Sequence, residues 1–190
     1  MPSHFHRPRD ERLVVGVAGR IGAGKTSVAR YLSSSYKFRY IRYSRVLAEW
    51  LAKDPDSKPN LQEIGWEVMA GGMQTELNRR LIAQIMSNAD VAVDGLRHPI
   101  DCESLRNSFL SSFHLLYIDS PLEDRRERLR ARGRYTSLDS FKAADSHPVE
   151  QQIELLRASA TLVIQNKSSL QDLYVAVDDA IREFRKEGPA

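Results

Sequence analysis

A glycine-rich loop joins an apolar run to an amphipathic stretch near the start of the chain. The loop reads GRIGAGKT from Gly19 to Thr26, after the apolar run 13–18 and ahead of the helix-like stretch 25–36. It matches the G-x-x-x-x-G-K-[ST] pattern in the order of elements that its chemistry requires. Glycines let successive amides point at one anion, and the positive end of the following helix reinforces them. The pattern predicts a phosphate-binding loop, or P-loop; the alternative is a turn that only joins two elements.

Apolar runs alternate with longer amphipathic stretches along the rest of the chain. This alternation predicts an α/β fold with a parallel sheet, because parallel strands need crossover helices. Five short apolar runs bounded by turn or cap residues are predicted strands: 13–18, 39–43, 91–94, 113–119 and 162–165. Eight stretches with helical periodicity are predicted helices: 25–36, 45–53, 61–70, 75–88, 101–109, 122–131, 149–158 and 170–185.

The 190 residues have the length of one ordinary domain, which encloses a core without disulfides or metals. We expect a single domain over 12–190, preceded by a polar, disordered lead-in at 1–11. Prolines interrupt the helical pattern within a predicted acceptor-binding subregion at about 44–88. A polar stretch, 133–148, follows an arginine-rich helix, and the segment at about 125–148 is predicted to form a mobile lid.

Composition narrows the class of protein. The one cysteine, Cys102, excludes a disulfide framework and a cluster of thiolate metal ligands. The first residues contain no apolar run that could act as a signal peptide or cross a membrane. We therefore expect a cytoplasmic protein with no membrane partner. The net charge of +3 is small, so no specific nucleic-acid partner is expected.

The predicted P-loop assigns residues to ATP and to a magnesium ion. Lys25 is predicted to reach the β- and γ-phosphates, and the Thr26 hydroxyl to bind Mg²⁺. The run 91–94 ends in Asp94, at the edge where parallel sheets bind ligands, so its carboxylate is a second predicted metal ligand; a helix or turn cap is the alternative. The loop residues predicted to bind nucleotide are Arg20, Ile21, Gly22, Ala23, Gly24, Lys25, Thr26 and Ser27.

Arginines are concentrated in one part of the chain, with six between Arg125 and Arg134. Arg128 and Arg132 are four residues apart and share a helix face. We predict that both act with Lys25 as catalytic groups, because cations that close over a transferred phosphoryl group stabilise its charge. Arg97 is predicted to bind the phosphate of the acceptor. Ordinary ion pairs with nearby acidic residues are the alternative for all three arginines.

The last predicted strand leads into Asn166. Backbone and amide groups at this turn are predicted to line the adenine at the sheet edge. An ordinary helix cap by Ser168 or Ser169 is the alternative. The sequence from Asn166 to Ser169 lacks the aspartate with which GTPases of the NKxD type read guanine. ATP is therefore the predicted donor.

The P-loop, the DGLR sequence at 94–97, the RGR sequence at 132–134 and the turn at Asn166 carry a family resemblance. Over about residues 12–185 the chain resembles nucleoside monophosphate kinase-like and dephospho-CoA kinase-like P-loop kinases. It also resembles the kinase-like module of some deoxycytidylate deaminase-related proteins, although a deaminase zinc site needs at least two cysteines. The resemblance implies a three-layer P-loop kinase fold with a five-stranded parallel sheet. It also implies that Lys25, Arg97, Arg128 and Arg132 bind phosphate.

One departure from the resemblance bears on the acceptor. Dephospho-CoA kinases typically carry an aspartate base after the second strand, whereas this chain reads Tyr43-Ser44-Arg45. A hydroxyl acceptor must lose a proton when it attacks, but a monophosphate already attacks as an anion. Arg45 is therefore predicted to bind an anionic acceptor. Glu49 or Glu63 would serve as a base if either reached the acceptor from its helix.

These inferences rank three functions. The first is transfer of the γ-phosphoryl group of Mg-ATP to a nucleoside or deoxynucleoside monophosphate by a monomer or homodimer. The second is phosphorylation of dephospho-CoA or another small molecule. The third is a regulatory module that senses nucleotides with little turnover; such a module would show tight nucleotide binding without acceptor-dependent activity.

Overall fold

A computed structural model describes residues 12–52, 58–85 and 88–186. The predicted lead-in at 1–11 lies outside the described residues. Within them the chain forms five strands, each close to its predicted position. The strands are β1 (Val14–Ala18), β2 (Arg39–Arg42), β3 (Val91–Asp94), β4 (Phe113–Asp119) and β5 (Leu162–Gln165).

The five strands pair in the order β2-β3-β1-β4-β5, and all four pairings are parallel. β1 lies at the centre between β3 and β4, and all five of its residues are buried. In this register Val17 is beside Asp94, and Asp94 is beside Arg42. The sheet thus brings the end of β1, where the P-loop begins, next to the end of β3, and β3 next to β2.

Helices cover the sheet and make the crossovers between its strands. Within the described residues they are α1 (Lys25–Tyr36), α2 (Tyr43–Trp50), α3 (Lys58–Ala70), α4 (Gln74–Ile85), α5 (Pro99–Phe109), α6 (Leu122–Ala131), α7 (Leu138–Asp145), α8 (Pro148–Leu155) and α9 (Leu170–Lys186). None of them is both long and apolar enough to cross a bilayer. The predicted three-layer α/β architecture is confirmed.

The two faces of the sheet carry separate apolar cores because successive strand residues point to opposite sides. On one face, Val14 belongs to a cluster that includes Leu47 of α2, Leu81 of α4 and Leu105 of α5. On the other face, the neighbouring Val15 belongs to a second cluster. This second cluster includes Val28 and Leu32 of α1 and Val177 and Phe184 of α9. Burial of each large apolar side chain contributes about 1.5–3 kcal/mol to this scaffold.

The structure differs from the sequence prediction mainly after α6. The stretch 133–148, predicted to be irregular, contains the two-turn helix α7. Its only buried apolar side chain is Phe141, and its last residue, Asp145, forms a buried ion pair. In a helix of only eight residues the apolar positions give too short a pattern to detect, so this helix depends on tertiary contacts that the local pattern does not show.

Candidate active site

A cavity of about 220 Å³ opens at the carboxyl ends of β1, β2 and β3. The P-loop, with Ile21, Lys25 and Thr26, forms one wall. Leu47 of α2 and Leu77 of α4 line the acceptor side. Val149 and Glu150 of α8 close the site from the lid side. The cavity therefore joins the predicted nucleotide site to an acceptor side lined by both polar and apolar groups.

The P-loop backbone is packed so closely that glycine is required at two of its turns. Gly19 has φ 141°, and a Cβ there would lie 2.3 Å from the Ile118 carbonyl oxygen. Gly24 has φ 108°, and a Cβ there would lie 2.6 Å from Nδ2 of Asn166. Both backbone conformations disfavour other residues even without these contacts. The loop geometry is thus held by neighbouring elements before any ligand binds.

Lys25 lies at the start of α1 and points back into the loop. Its Nζ donates hydrogen bonds to the carbonyl oxygens of Gly19, at 2.6 Å, and Arg20, at 2.9 Å. Loss of water around the ammonium lowers the pKa of Lys25, and the nearby carboxylates of Glu150 and Asp94 partly oppose this effect. A poorly hydrated cation gains more from a phosphate oxygen than a solvated one does.

Asp94 and Thr26 meet as predicted. The Asp94 carboxylate is 6% exposed. Its Oδ2 accepts hydrogen bonds from Thr26 Oγ1 at 3.0 Å and from the Tyr40 hydroxyl at 2.8 Å. Burial, reinforced by this carboxylate, raises the pKa of Tyr40 well above its ordinary value. Tyr40 therefore acts as a hydrogen-bond donor that orients Asp94.

The Thr26–Asp94 pair fits a magnesium ion of the kind that accompanies nucleotides. Both groups are hard oxygen donors, which Mg²⁺ prefers. The described residues contain no group of three or more histidines, cysteines or acidic residues that would form an all-protein metal cage. Such a donor set matches an ion held by one carboxylate, one hydroxyl and phosphate oxygens.

Three arginine side chains line the cavity without a hydrogen-bond or ion-pair partner among the described residues: Arg42, Arg97 and Arg132. Arg42 is the last residue of β2, and Arg97 follows β3. Arg45, predicted to bind the acceptor, is placed elsewhere. Its side chain is 71% exposed and pairs with Glu49 at 3.0 Å on the outside of α2. Arg42, which the sequence prediction missed, takes the position expected of Arg45.

Arg128 and Asn166 do not line the cavity: Asn166 contacts the P-loop, and Arg128 contacts Asn166. Arg128 donates to Ser120 Oγ at 2.6 Å and to the Asn166 carbonyl oxygen at 2.9 Å. The Asn166 side chain donates through Nδ2 to the Ala23 carbonyl oxygen at 2.8 Å. Loss of water lowers the pKa of Arg128. In this structure both side chains therefore support the loop, and their predicted contacts with phosphate and adenine stay predictions.

The predicted lid segment is tied to the P-loop by charged groups that sequence analysis missed. Arg125 is 4% exposed. Its Nη1 lies 2.5 Å from Asp145 Oδ1 and donates to the Ile21 carbonyl oxygen at 3.2 Å. Arg20 reaches the same carboxylate at 3.2 Å. Glu150 Oε2 accepts a hydrogen bond from the Ile21 amide at 2.8 Å. Only tertiary structure brings these residues together, because α6, α7 and α8 are far from the loop in sequence.

A family model described as an AAA domain matches residues 15–147. This span runs from β1 and the P-loop to the end of α7, so it includes most of the site. The chain belongs to this AAA-domain family. Together with the relatives described next, the match confirms the predicted membership of a P-loop, kinase-like family and the prediction of an enzyme of that type.

Relatives of this AAA-domain protein span nearly its whole length. A dephospho-CoA kinase of Deinococcus radiodurans is 29% identical over 90% of this chain and 91% of the relative. A UPF0200 protein of Pyrobaculum aerophilum is 27% identical over 90% of this chain and 98% of the relative. The crystal structure of shikimate kinase from Acinetobacter baumannii in complex with shikimate superposes with a TM-score of 0.60. That structure is 19% identical and covers 93% of this chain and 98% of its own, so it supports the fold alone.

Family membership leaves the finer predictions about this AAA-domain protein open. The individual roles of Lys25, Arg97, Arg128 and Arg132 stay predictions, and so does the division into acceptor-binding and lid subregions. A cytoplasmic location and a monomeric or homodimeric state also stay predictions. The arrangement of the cavity supports the proposals that follow.

Proposed function

We propose that this protein transfers the γ-phosphoryl group of Mg-ATP to a nucleoside or deoxynucleoside monophosphate. The observation that carries the proposal is the pair of unpartnered arginines, Arg42 and Arg97, on the acceptor side of the cavity. They lie at the ends of the adjacent strands β2 and β3. Two guanidinium groups with no counter-ion among the described residues favour an anionic acceptor, and each is suited to bind two phosphate oxygens at once.

Each group of cavity residues has a separate role in the proposed phosphoryl transfer. The P-loop amides and Lys25 bind the terminal phosphates of ATP. Thr26 and Asp94 would hold the magnesium ion, which when bound would supply positive charge to the phosphates of ATP. Arg42 and Arg97 orient the acceptor phosphate for in-line attack. Arg132, on the lid side, is placed to stabilise charge on the transferred group. A monophosphate attacks as an anion, so no proton needs to be removed.

A hydroxyl acceptor is the second candidate, and Glu150 is the observation that favours it. Neither Glu49, which pairs with Arg45, nor Glu63, which is 67% exposed beside His147, lines the cavity. Glu150 does line it. A carboxylate near the transferred phosphoryl group is what a hydroxyl acceptor needs as a base. Dephospho-CoA is a specific candidate because the name of one relative, a dephospho-CoA kinase, points to it.

Turnover with a panel of acceptors tests these functions. The panel contains ribo- and deoxynucleoside monophosphates, dephospho-CoA and shikimate, with ADP and phosphorylated product both measured. We expect at least one monophosphate to stimulate ADP release and to be recovered as the diphosphate. Activity on dephospho-CoA alone would move the assignment to the second candidate. Tight ATP binding with no acceptor-dependent turnover would instead indicate a nucleotide-sensing module.

Replacing either cavity arginine should weaken acceptor binding. We expect Arg42→Met and Arg97→Met each to raise the KM for the monophosphate by about 10- to 100-fold, because a hydrogen bond to a charged group contributes about 1.5–3 kcal/mol. The KM for ATP should change much less. Arg45→Met is the matched control, since it removes an exposed arginine one turn away that does not line the cavity. An equal effect of all three substitutions would contradict the proposed acceptor subsite.

The magnesium site makes a separate prediction. Asp94→Asn keeps the shape of the side chain and removes the charge that would face the ion. We expect turnover at a fixed magnesium concentration to fall about 100-fold. This is the upper end of the loss of activity that follows replacement of a group around a bound metal. Asp139→Asn, on the exposed surface of α7, should leave turnover unchanged. A wild-type magnesium dependence in Asp94→Asn would exclude Asp94 as a metal ligand.

A further inference from the structure

Glu150 places a buried carboxylate directly on the phosphate-binding loop. It lies in the first turn of α8 and is 3% exposed. Its Oε2 accepts the Ile21 amide at 2.8 Å, and its side chain lines the same cavity as Lys25 and Thr26. No other hydrogen bond joins this carboxylate to the described residues. An amide of a loop built to collect anions is thus already bound to an anion of the protein.

The same carboxylate acts on the charge of Lys25. Among the charged groups around the ammonium, Glu150 opposes the lowering of the Lys25 pKa most strongly, ahead of Asp94. Lys25 Nζ meanwhile donates to the carbonyl oxygens of Gly19 and Arg20. The loop amide and the loop cation therefore both have protein partners before ATP arrives. A terminal phosphate that enters this space meets a negative charge as well as a positive one.

We propose that Glu150 is a resident anion of the P-loop that competes with the terminal phosphate and sets the preference between nucleotides. Its charge lowers the affinity for ATP more than the affinity for ADP, because ATP brings the γ-phosphate to Lys25 in addition to the β-phosphate that both nucleotides carry. When ATP binds, the Glu150 carboxylate gives up the Ile21 amide. The released carboxylate stays near the first turn of α8, where the helix N-terminus stabilises its negative charge. Glu150 is in this sense a specificity-determining residue for the donor nucleotide.

This inference rests on the proposed ATP binding at the P-loop and not on the identity of the acceptor. Its test is calorimetric titration of Mg-ATP and Mg-ADP without acceptor into the full-length wild type and into Glu150→Gln. Glutamine keeps an oxygen for the Ile21 amide and removes the charge. We expect ATP to bind about tenfold more tightly to Glu150→Gln, equivalent to about 1.4 kcal/mol. ADP should tighten by less than about threefold.

Two further variants separate competition from a structural role. Glu150→Ala removes both the hydrogen bond and the charge, so competition predicts tighter ATP binding here too, with thermal unfolding confirming the folded state. Glu154→Gln is the control on the same helix. Its carboxylate accepts the Tyr117 hydroxyl at 2.9 Å and does not line the cavity, so its nucleotide affinities should match those of the wild type.

The outcomes distinguish this inference from the proposed function. If wild type binds ATP and both Glu150 variants bind it equally or more weakly, Glu150 is only a structural tie between α8 and the loop. Equal tightening of ATP and ADP would also overturn a role in discrimination. Failure of all the proteins to bind ATP would contradict the proposed function together with this inference.

Discussion

Lys25→Ala is expected to lower the rate of ATP-dependent phosphoryl transfer by about 10²- to 10³-fold, the loss that follows removal of one preorganised electrostatic group from a transition state. The loss should exceed that of the acceptor-side arginines. Loss of water around the Lys25 ammonium lowers the pKa of this group, so its interaction with the γ-phosphate is screened less than that of a fully solvated cation. Steady-state turnover at saturating acceptor measures the effect.

Lys37→Ala is the matched control for this substitution. Lys37 directly follows α1, the helix that Lys25 begins, and within the described part of the chain its Nζ makes only an exposed hydrogen bond to the Ser34 carbonyl oxygen. We expect wild-type turnover from Lys37→Ala and a folded Lys25→Ala by thermal unfolding. Undiminished turnover by folded Lys25→Ala would exclude the P-loop lysine from catalysis and remove the basis of the proposed mechanism.

The sheet and the P-loop could be predicted because their signals are local. A central strand of a parallel sheet is buried on both faces, so β1 and β4 read as continuous apolar runs. The loop glycines follow from backbone conformations that few other residues adopt. Asp94 could be predicted for a related reason. A carboxylate at the end of an apolar strand in a P-loop protein lies at the edge where ligands bind.

On the acceptor side the sequence predicts one cavity arginine, Arg97, correctly, but it identifies the other only by residue type. The sequence predicts that Arg45, just after the second strand, faces the acceptor. In the structure Arg42, the last residue of β2, lines the cavity instead. The difference depends on where β2 ends and α2 begins. Strand residues alternate in direction, whereas helix residues turn by about 100° each, so an error of a few residues exchanges a cavity side chain for an exposed one. Sequence patterns seldom locate such boundaries to one residue.

The contacts between the lid segment and the P-loop could not be predicted at all. Asp145 lies in the polar stretch 133–148 and Glu150 near the start of a predicted helix, and an acidic residue at either place is typical of a solvated surface. Each is nonetheless buried, because Arg125 of α6 and the Ile21 amide provide the charged or polar partner that a buried carboxylate needs. These partners are at least 20 residues away in sequence, so only the packed fold identifies them.

The Arg125–Asp145 pair carries the largest expected effect on stability. We expect Asp145→Ala to lower the free energy of unfolding by about 3–5 kcal/mol, the usual cost when one partner of a buried ion pair is removed. Arg125 is 4% exposed and would keep its charge without a carboxylate. Its remaining acceptors are the carbonyl oxygens of Ser120 and Ile21. Chemical denaturation at neutral pH measures the loss.

Two further variants of this protein test whether the loss of stability comes from the buried charge. Glu127→Ala separates the Arg130–Glu127 pair of α6, whose side chains are 59% and 63% exposed, and should cost less than about 1 kcal/mol. The double variant Arg125→Met/Asp145→Leu removes both buried charges and should recover most of the stability lost in Asp145→Ala. Equal costs for Asp145→Ala and the double variant would instead place the effect in lost packing around Phe141. Arg125 also binds the Ile21 carbonyl oxygen, and Asp145 also binds Arg20. If the double variant recovers stability but binds ATP more weakly, the pair therefore positions the P-loop for the nucleotide.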